Sequence, residues 1–270
     1  MSQLTVKVRA SSWGRLFDCA YAWEGVHLLG MRKPSGMPAL LGTSLHASTA
    51  VFDTARSNGA PISTDDAAGV LVDSLHSPKG DVDLSASDMT LRDAERIGLG
   101  LHTRYCNEVS PRFQFAAVEL ETKPLDIDCG NGVTITLTGT LDRSRLVAGS
   151  DGGARIVDLK SGGRAVEKGV ASTKGHAPQV GTYEILYEHS TGQAITAPAE
   201  IIGLKTTGKP EIATGEIANA KARMVGTAEA PGLIELASEM FRAGRFPPNP
   251  SSQLCSAKFC ARWSRCSYHA

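Results

Sequence analysis

Gly139-Thr-Leu-Asp-Arg-Ser-Arg145, followed after a loop by Arg155-Ile-Val-Asp-Leu-Lys-Ser-Gly-Gly163, decides how this chain is read. From Val133 to Asp142 the residues Val, Ile, Leu, Gly and Leu alternate with Thr, Thr, Thr, Thr and Asp, the period of a strand with one buried face. Asp142 therefore leaves that strand on its polar side. Ala154 to Lys160 reads as a partner strand: Asp158 and Lys160, two apart, share a face, while Val157 and Leu159 turn to the core. Two carboxylates and one ammonium then converge near the ends of a strand pair.

Such a group suits phosphodiester hydrolysis. A divalent cation polarises the phosphoryl oxygen and lowers the pKa of the attacking water, and Mg²⁺ prefers carboxylate oxygens plus water. Asp142 and Asp158 supply the carboxylates. Lys160 is placed to stabilise charge developing on phosphate, or to position and deprotonate the water. The remaining parts follow along the chain. Gly42-Thr-Ser-Leu-His46 opens a helix running to about Arg56, and Phe115 to Leu125 reads as a strand on which Glu119 and Glu121 face the same way. Pro178 fits the first turn of a helix in which Gln179 and Tyr183, four apart, share a face.

Taken together, these motifs resemble the PD-(D/E)xK nucleases of the RecB-like exonuclease family, and the resemblance spans most of the chain. It implies that His46 lies near the metal, where neutral imidazole can ligate a divalent ion or bond its water. It implies a strand glutamate before the metal-binding aspartate, Glu119 or Glu121, with Glu119 preferred. It further implies Mg²⁺ or Mn²⁺ held among His46, that glutamate, Asp142, Asp158 and the carbonyl of Leu159. Gln179 and Tyr183 would hold the DNA backbone and buttress Lys160.

At the start of the chain, Ser11-Ser12 can cap a helix whose Leu16, Cys19, Ala20 and Trp23 fall at helical spacing, which puts Cys19 on a half-buried helix face. Near the other end, Phe246-Pro-Pro-Asn-Pro250 breaks the composition and leads into Cys255, Cys260 and Cys266, interleaved with Phe259, Trp263 and Tyr268. Three such cysteines bind zinc, bind an iron–sulfur cluster or stay free, and neither spacing is the Cys-x-x-Cys knuckle of a zinc ribbon. His269 is a substitute ligand. The family resemblance implies a 4Fe-4S cluster, because its iron–sulfur members pair one N-terminal cysteine, here Cys19 after Ser12 and Phe17, with three C-terminal ones. Ala20 stands where a proline is usual, and the gap from Cys255 to Cys260 is longer than the usual one.

The 270 residues can bury one substantial core. The expected organisation is a RecB-like nuclease domain over residues 1–245, with a helical insertion at about 60–110, and a cysteine-rich segment at 246–270 completed by Cys19. Expected helices cover Asp66–Ser77, Ser87–Val109 and Gly232–Ala243, and expected strands Glu200–Thr206 and Pro210–Glu216. The expected fold is α/β: a central mixed sheet of about five strands with helices on both sides, the cysteine segment packed against the first helix.

With 28 basic and 28 acidic residues there is no global field to draw in a polyanion. Locally, Arg155, Lys160, Arg164, Lys168 and Lys174 outnumber Asp158 and Glu167, and Lys258, Arg262 and Arg265 lie among the terminal cysteines, as a phosphate track or an ordinary solvated face. No apolar run reaches the length of a membrane span and the first residues lack a signal-peptide core, so a cytoplasmic protein of a bacterial or phage-infected cell is expected. No Gly-x-x-x-x-Gly-Lys-Ser/Thr occurs, so unwinding must come from elsewhere. By analogy with the family the partner is DNA, with a recombinase, single-strand-binding protein or helicase beside it. The expected activity is hydrolysis of DNA from an end in recombination, repair or phage DNA processing. A structure-specific endonuclease and a non-catalytic DNA-binding subunit are the alternatives.

Overall fold

The Asp-x-Lys strand lies at the centre of the main sheet. A computed structural model describes residues 3–149 and 152–269; Met1, Ser2, Ser150, Asp151 and Ala270, the last in the cysteine-rich segment, lie outside the described residues, as does the side chain of Ala86. In chain order the principal elements are β1 (Leu4–Arg9), α1 (Trp13–Asp18), α2 (Ala20–His27), α3 (Met37–Ser57), α4 (Thr64–His76), α5 (Leu91–Arg104), β2 (Phe115–Glu121), β3 (Leu125–Asp128), β4 (Val133–Thr138), β5 (Thr140–Leu146), β6 (Ala154–Gly162), α6 (Ala177–Thr191), β7 (Ala199–Lys205), β8 (Glu211–Ile217), α7 (Ala220–Val225) and α8 (Leu233–Ala243). Five strands form a mixed sheet in the order β8-β7-β6-β5-β2, with β6 and β7 parallel and the other pairs antiparallel. A second sheet runs β1-β4-β3, β1 parallel to β4.

From Ala154 to Leu159 every residue of β6 is buried, as a central strand covered on both faces must be. One face packs against α3, α4 and α5 through Leu41, Leu45, Leu71 and Leu101, meeting Val157 and Leu159. Its other face meets α6 through Val180 and Tyr183, against Leu141, Ile156 and Ile201. A third cluster joins the small sheet to α1, α2 and α8 around Trp13, Trp23, Ile135, Leu137 and Phe241. Among the described residues no helix is long and apolar enough to cross a membrane.

Several boundaries depart from the sequence expectation. The run Val133–Asp142 is two strands, because at Gly139 the chain passes from the small sheet to the large one. A Cβ at Gly139 would lie 2.8 Å from the Tyr183 ring and 3.2 Å from the Ala10 Cβ, so the crossing is only wide enough for glycine. Likewise Phe115–Leu125 stops at Glu121, and Leu125 begins a strand of the other sheet. The helix expected at Gly42 begins at Met37, with Pro38 in its first turn, where a missing N–H costs nothing. The helix expected from Ser87 starts at Leu91 behind a Thr90–Asp93 capping box and widens into a π turn at Tyr105–Val109.

Cys19 is not on a helix face. It is extended (φ −150°, ψ 93°) and separates α1 from α2. Its N–H closes α1 on the Arg15 carbonyl at 3.0 Å and its carbonyl opens α2 by accepting from Trp23 at 3.1 Å, so one extended residue fits between two helical turns. Its sulfur accepts the Asn249 N–H at 3.4 Å. Arg262 lies 3.4 Å above the Tyr21 ring, pairs with Glu24 and donates to the Tyr21 carbonyl at 3.1 Å, fastening the terminal segment to α2.

Where α6 meets α7, the Glu184 carboxylate accepts the Lys221 N–H at 2.8 Å, and burial, reinforced by Glu188, pushes its pKa up to about 7 from 4.5. The folded protein then holds a proton that the unfolded chain has lost, so stability falls as pH rises from about 4.5 to about 7. Glu184→Gln is expected to remove that decline and to raise stability at about pH 8 by at most about 3 kcal/mol. Urea midpoints at about pH 5 and pH 8 check it; an equal change at both would exclude it.

Candidate metal centre

Strands β2 and β5 pair Val118 with Arg143 and Leu120 with Leu141. A regular strand sends residues two apart to one face, yet Val118 packs into the α3–α5 core while Leu120 and Leu141 join the α6 core. The pleat reverses between them, at Glu119 and Asp142. Glu119 takes φ +48°, a left-handed conformation costing an L-residue roughly 1–2 kcal/mol, and strain of this kind collects at functional sites. The reversal brings Glu119 and Asp142 to His46 on α3: one ligand atom from each lies within 4.8 Å of the other two.

The three are held from behind. His46 Nδ1 is 3.5 Å from Asp142 Oδ2, which also accepts the Leu159 N–H at 2.8 Å. The register of β5 against β6 ends at Arg143–Val157, so a side chain takes the N–H that the ladder leaves over. Arg143, wholly buried, donates through Nη1 to Glu119 Oε1 at 3.1 Å and to the Asp142 carbonyl at 2.8 Å, and through Nε to Asp53 Oδ2 at 2.8 Å. Asp53 also accepts from Tyr105 at 2.7 Å and from Ser110. The sequence reading missed Arg143 and Asp53. The available signal was the polar series His46, Thr49 and Asp53 on one face of α3, where Thr49 and Asp53 are fully buried.

Across the strand, on the α6 side, Lys160 Nζ lies 2.6 Å from Asp158 Oδ2 and donates to Gln179 Oε1 at 3.0 Å. The Gln179 amide donates to Asp158 Oδ1 at 3.4 Å and to the Tyr183 hydroxyl at 3.3 Å. Thus the structure divides the expected residues into two adjoining groups: His46, Glu119 and Asp142, and Asp158, Lys160, Gln179 and Tyr183. Glu121 is elsewhere, in a separate recess with Lys7 and Arg9. Cys19, Cys255, Cys260 and Cys266 line one small cavity with Trp263 and Tyr268, and His269 stacks on Trp263 with ring centroids 3.9 Å apart.

The two aspartates are pushed apart electrostatically. Burial raises Asp158, and the charge of Asp142 raises it further, against Lys160. Burial also works against Asp142, but His46, Lys160 and Arg143 outweigh it and hold that carboxyl below its usual range. Burial, then Asp142, raises Glu119, and for His46 the Asp142 charge overcomes burial to raise the imidazole. For both raised carboxyls burial is the first cause and the neighbouring Asp142 charge adds to it.

Glu119→Gly relieves φ +48° but removes a carboxylate from buried Arg143 and adds glycine's chain entropy, so stability is expected to change by no more than about 1 kcal/mol while Mn²⁺ binding weakens at least about tenfold. Denaturation and Mn²⁺ calorimetry on the same sample check this; unchanged Mn²⁺ affinity would remove Glu119 from the ligand set.

An imidazole and acidic oxygens beside a tethered lysine, on a central strand of an α/β sheet, make a group that could hold a divalent cation. Residues 10–267 match the profile of the PD-(D/E)XK nuclease superfamily, and the chain belongs to it: a nuclease, a hydrolase of phosphodiester bonds. Among solved structures, a provisionally named exonuclease from Eubacterium rectale aligns with a TM-score of 0.53 at 14% identity, over 96% of this chain and 87% of that one. At that identity the likeness concerns the fold alone. SSO0001 aligns more loosely, with a TM-score of 0.39 at 14% identity over 94% of this chain and 96% of that one. No curated protein matches the sequence with significance.

Proposed function

We propose that this nuclease is a Mg²⁺- or Mn²⁺-dependent deoxyribonuclease acting from DNA ends, of the RecB-like iron–sulfur branch. The observation that carries the reading is the convergence of His46, Glu119 and Asp142 within 4.8 Å beside a tethered lysine. The donors fit such an ion. They are hard oxygens plus one imidazole, and Asp158 Oδ2 is buried with no hydrogen bond of its own, only the ion-pair contact with Lys160. His46, Glu119 and Asp142 would hold the cation, with Asp158 and the Leu159 carbonyl completing the set. When bound it supplies Lewis-acid polarisation of phosphate and a lowered pKa for the attacking water.

The chain's own groups prepare the rest. Asp158 and Gln179 hold the Lys160 ammonium from two sides, so its direction is set before substrate arrives, and a fixed cation stabilises charge that develops on phosphate. Tyr183 accepts from Gln179 and is kept neutral by burial, which leaves its own proton for a phosphate oxygen. The four thiols lining one cavity support a 4Fe-4S cluster tying the two ends of the chain together. Iron and sulfide content against zinc content, after anaerobic purification, separates the cluster from the zinc alternative.

The test is cleavage of end-labelled linear single- and double-stranded DNA, and of covalently closed circles, with Mg²⁺ or Mn²⁺, by wild type and Asp158→Ala. Degradation of linear DNA by wild type alone is expected. Cutting of closed circles would make the enzyme an endonuclease, and DNA binding without cleavage in any divalent metal would favour a non-catalytic subunit.

A further inference from the structure

A groove of about 860 Å³ runs between the N-terminal end of α3 and the cysteine-rich segment, apart from the metal centre. Three cations line it, Arg32, Lys33 and Lys258. Lys33 donates to the Ala257 carbonyl, which spans the groove. One carboxylate shares the lining, Asp83, whose Oδ1 accepts from the Ser85 N–H at 3.0 Å and its hydroxyl at 2.6 Å. Phe259, 53% exposed, presents its ring there with Lys258 Nζ 5.4 Å from the centroid. The first turn of α3 enters the same groove, and its N-cap Gly36 provides no side-chain cap for the free N–H groups.

Three exposed cations, a helix N-terminus and an exposed aromatic ring in one concavity make up a receptor for a polyanion that carries flat faces. We propose that this groove binds a single strand of DNA as it runs to or from the metal centre, its phosphates on Arg32, Lys33 and Lys258 and an unpaired base on Phe259. The inference rests on the nuclease reading above. A duplex keeps its internal base faces stacked and leaves open only the outer face of a terminal pair, so an unpaired base is the better partner for Phe259. The groove and the centre share one helix, α3, which brings Pro38 and Ala39 to the groove and His46 to the centre. His46 is ten residues along α3 from Gly36, about 15 Å at 1.5 Å per residue.

The experiment uses the full, anaerobically purified chain and fluorescein-labelled oligonucleotides in EDTA, so that no cleavage competes with binding. Wild type is expected to gain affinity as a single strand lengthens from about four to about twelve nucleotides, and to bind it more tightly than a blunt duplex of equal length. The variant R32E/K258E, altered at two exposed positions, is expected to lose that gain and to reduce the slope of log affinity against log salt by about 1.4, or 0.7 per phosphate contact. Phe259→Ala is expected to weaken single-strand binding by about tenfold or more, and Phe259→Trp to restore it. If wild type binds and cuts DNA while both variants keep its affinity and salt slope, the groove proposal is overturned and the nuclease reading stands. Equal sensitivity of duplex binding to Phe259→Ala would overturn the single-strand assignment. Should wild type neither bind nor cut any DNA, the groove and the DNA reading fall together.

Discussion

Arg143→Met is expected to destabilise the fold by about 3–5 kcal/mol, because it strands a buried carboxylate. Arg143 and Asp53 are both fully buried, their Nε–Oδ2 contact is 2.8 Å, and the other polar groups on Asp53, Tyr105 and Ser110, are neutral donors. With the guanidinium gone Asp53 must take up a proton or draw in water, each at a cost. The lost side chain also carried the contacts to Glu119 Oε1 and the Asp142 carbonyl, the two residues at which the pleat reverses. Nuclease activity should therefore fall as well. A double variant separates the two effects. Asp53→Asn with Arg143→Met removes the stranded charge and should recover much of the stability, since replacing both partners of a buried pair is far milder than removing one. It should not recover activity, because nothing then holds Glu119 in its left-handed conformation. Urea midpoints at unchanged slope give the stability part. A loss under about 1 kcal/mol in the single variant, or activity regained in the double, would contradict this account.

What the sequence revealed and what it hid divide along physical lines. That Asp158 and Lys160 share a face was legible from a period of two, and that Gln179 and Tyr183 do from about one helical turn, whereas Asp142 sits where the pleat reverses and its place did not follow from alternation. The individual strands and helices followed from the same periodicities, and their arrangement as a central mixed sheet with flanking helices from the family resemblance. The difference between Glu119 and Glu121 was not legible. In an ideal strand they are equivalent, and only a backbone angle of +48° makes one a neighbour of His46 while the other joins Lys7 and Arg9. Gly139 fits an alternating pattern as a small apolar residue; its real task, letting the chain slip past Tyr183 between two sheets, depends on a residue 44 positions away (183 − 139). Cys19 fell on a helical stripe for a similar reason. Leu16, Ala20 and Trp23 are all buried, but on two helices whose junction Cys19 forms, and no local residue type announces that break. Tertiary contacts that reverse, cross or interrupt a regular element leave little trace in its period.

Lys160→Met, which keeps the stem and removes the charge, is expected to lower kcat by about 100- to 1,000-fold with a much smaller change in KM, the loss expected when one preorganised charge at a developing anion is removed. The effect has two sources in this site. One is direct: on the proposed reading, the charge held by Asp158 and Gln179 is no longer there to meet the phosphate. The other runs through Asp158. Its carboxyl is already raised by burial and by Asp142, and Lys160 is the largest influence holding it down. Without that cation Asp158 should hold its proton to higher pH, so cation binding by the variant should recover as pH rises where wild type is less sensitive. Lys160→Arg should not rescue the rate, because a planar guanidinium cannot reproduce a compact ammonium set 2.6 Å from one partner and 3.0 Å from the other. Single-turnover kinetics across pH, with Mn²⁺ affinity measured in parallel, resolve the two sources. A variant that kept more than about a tenth of the wild-type kcat would show that Lys160 supports Asp158 structurally and takes no part in stabilising the departing charge.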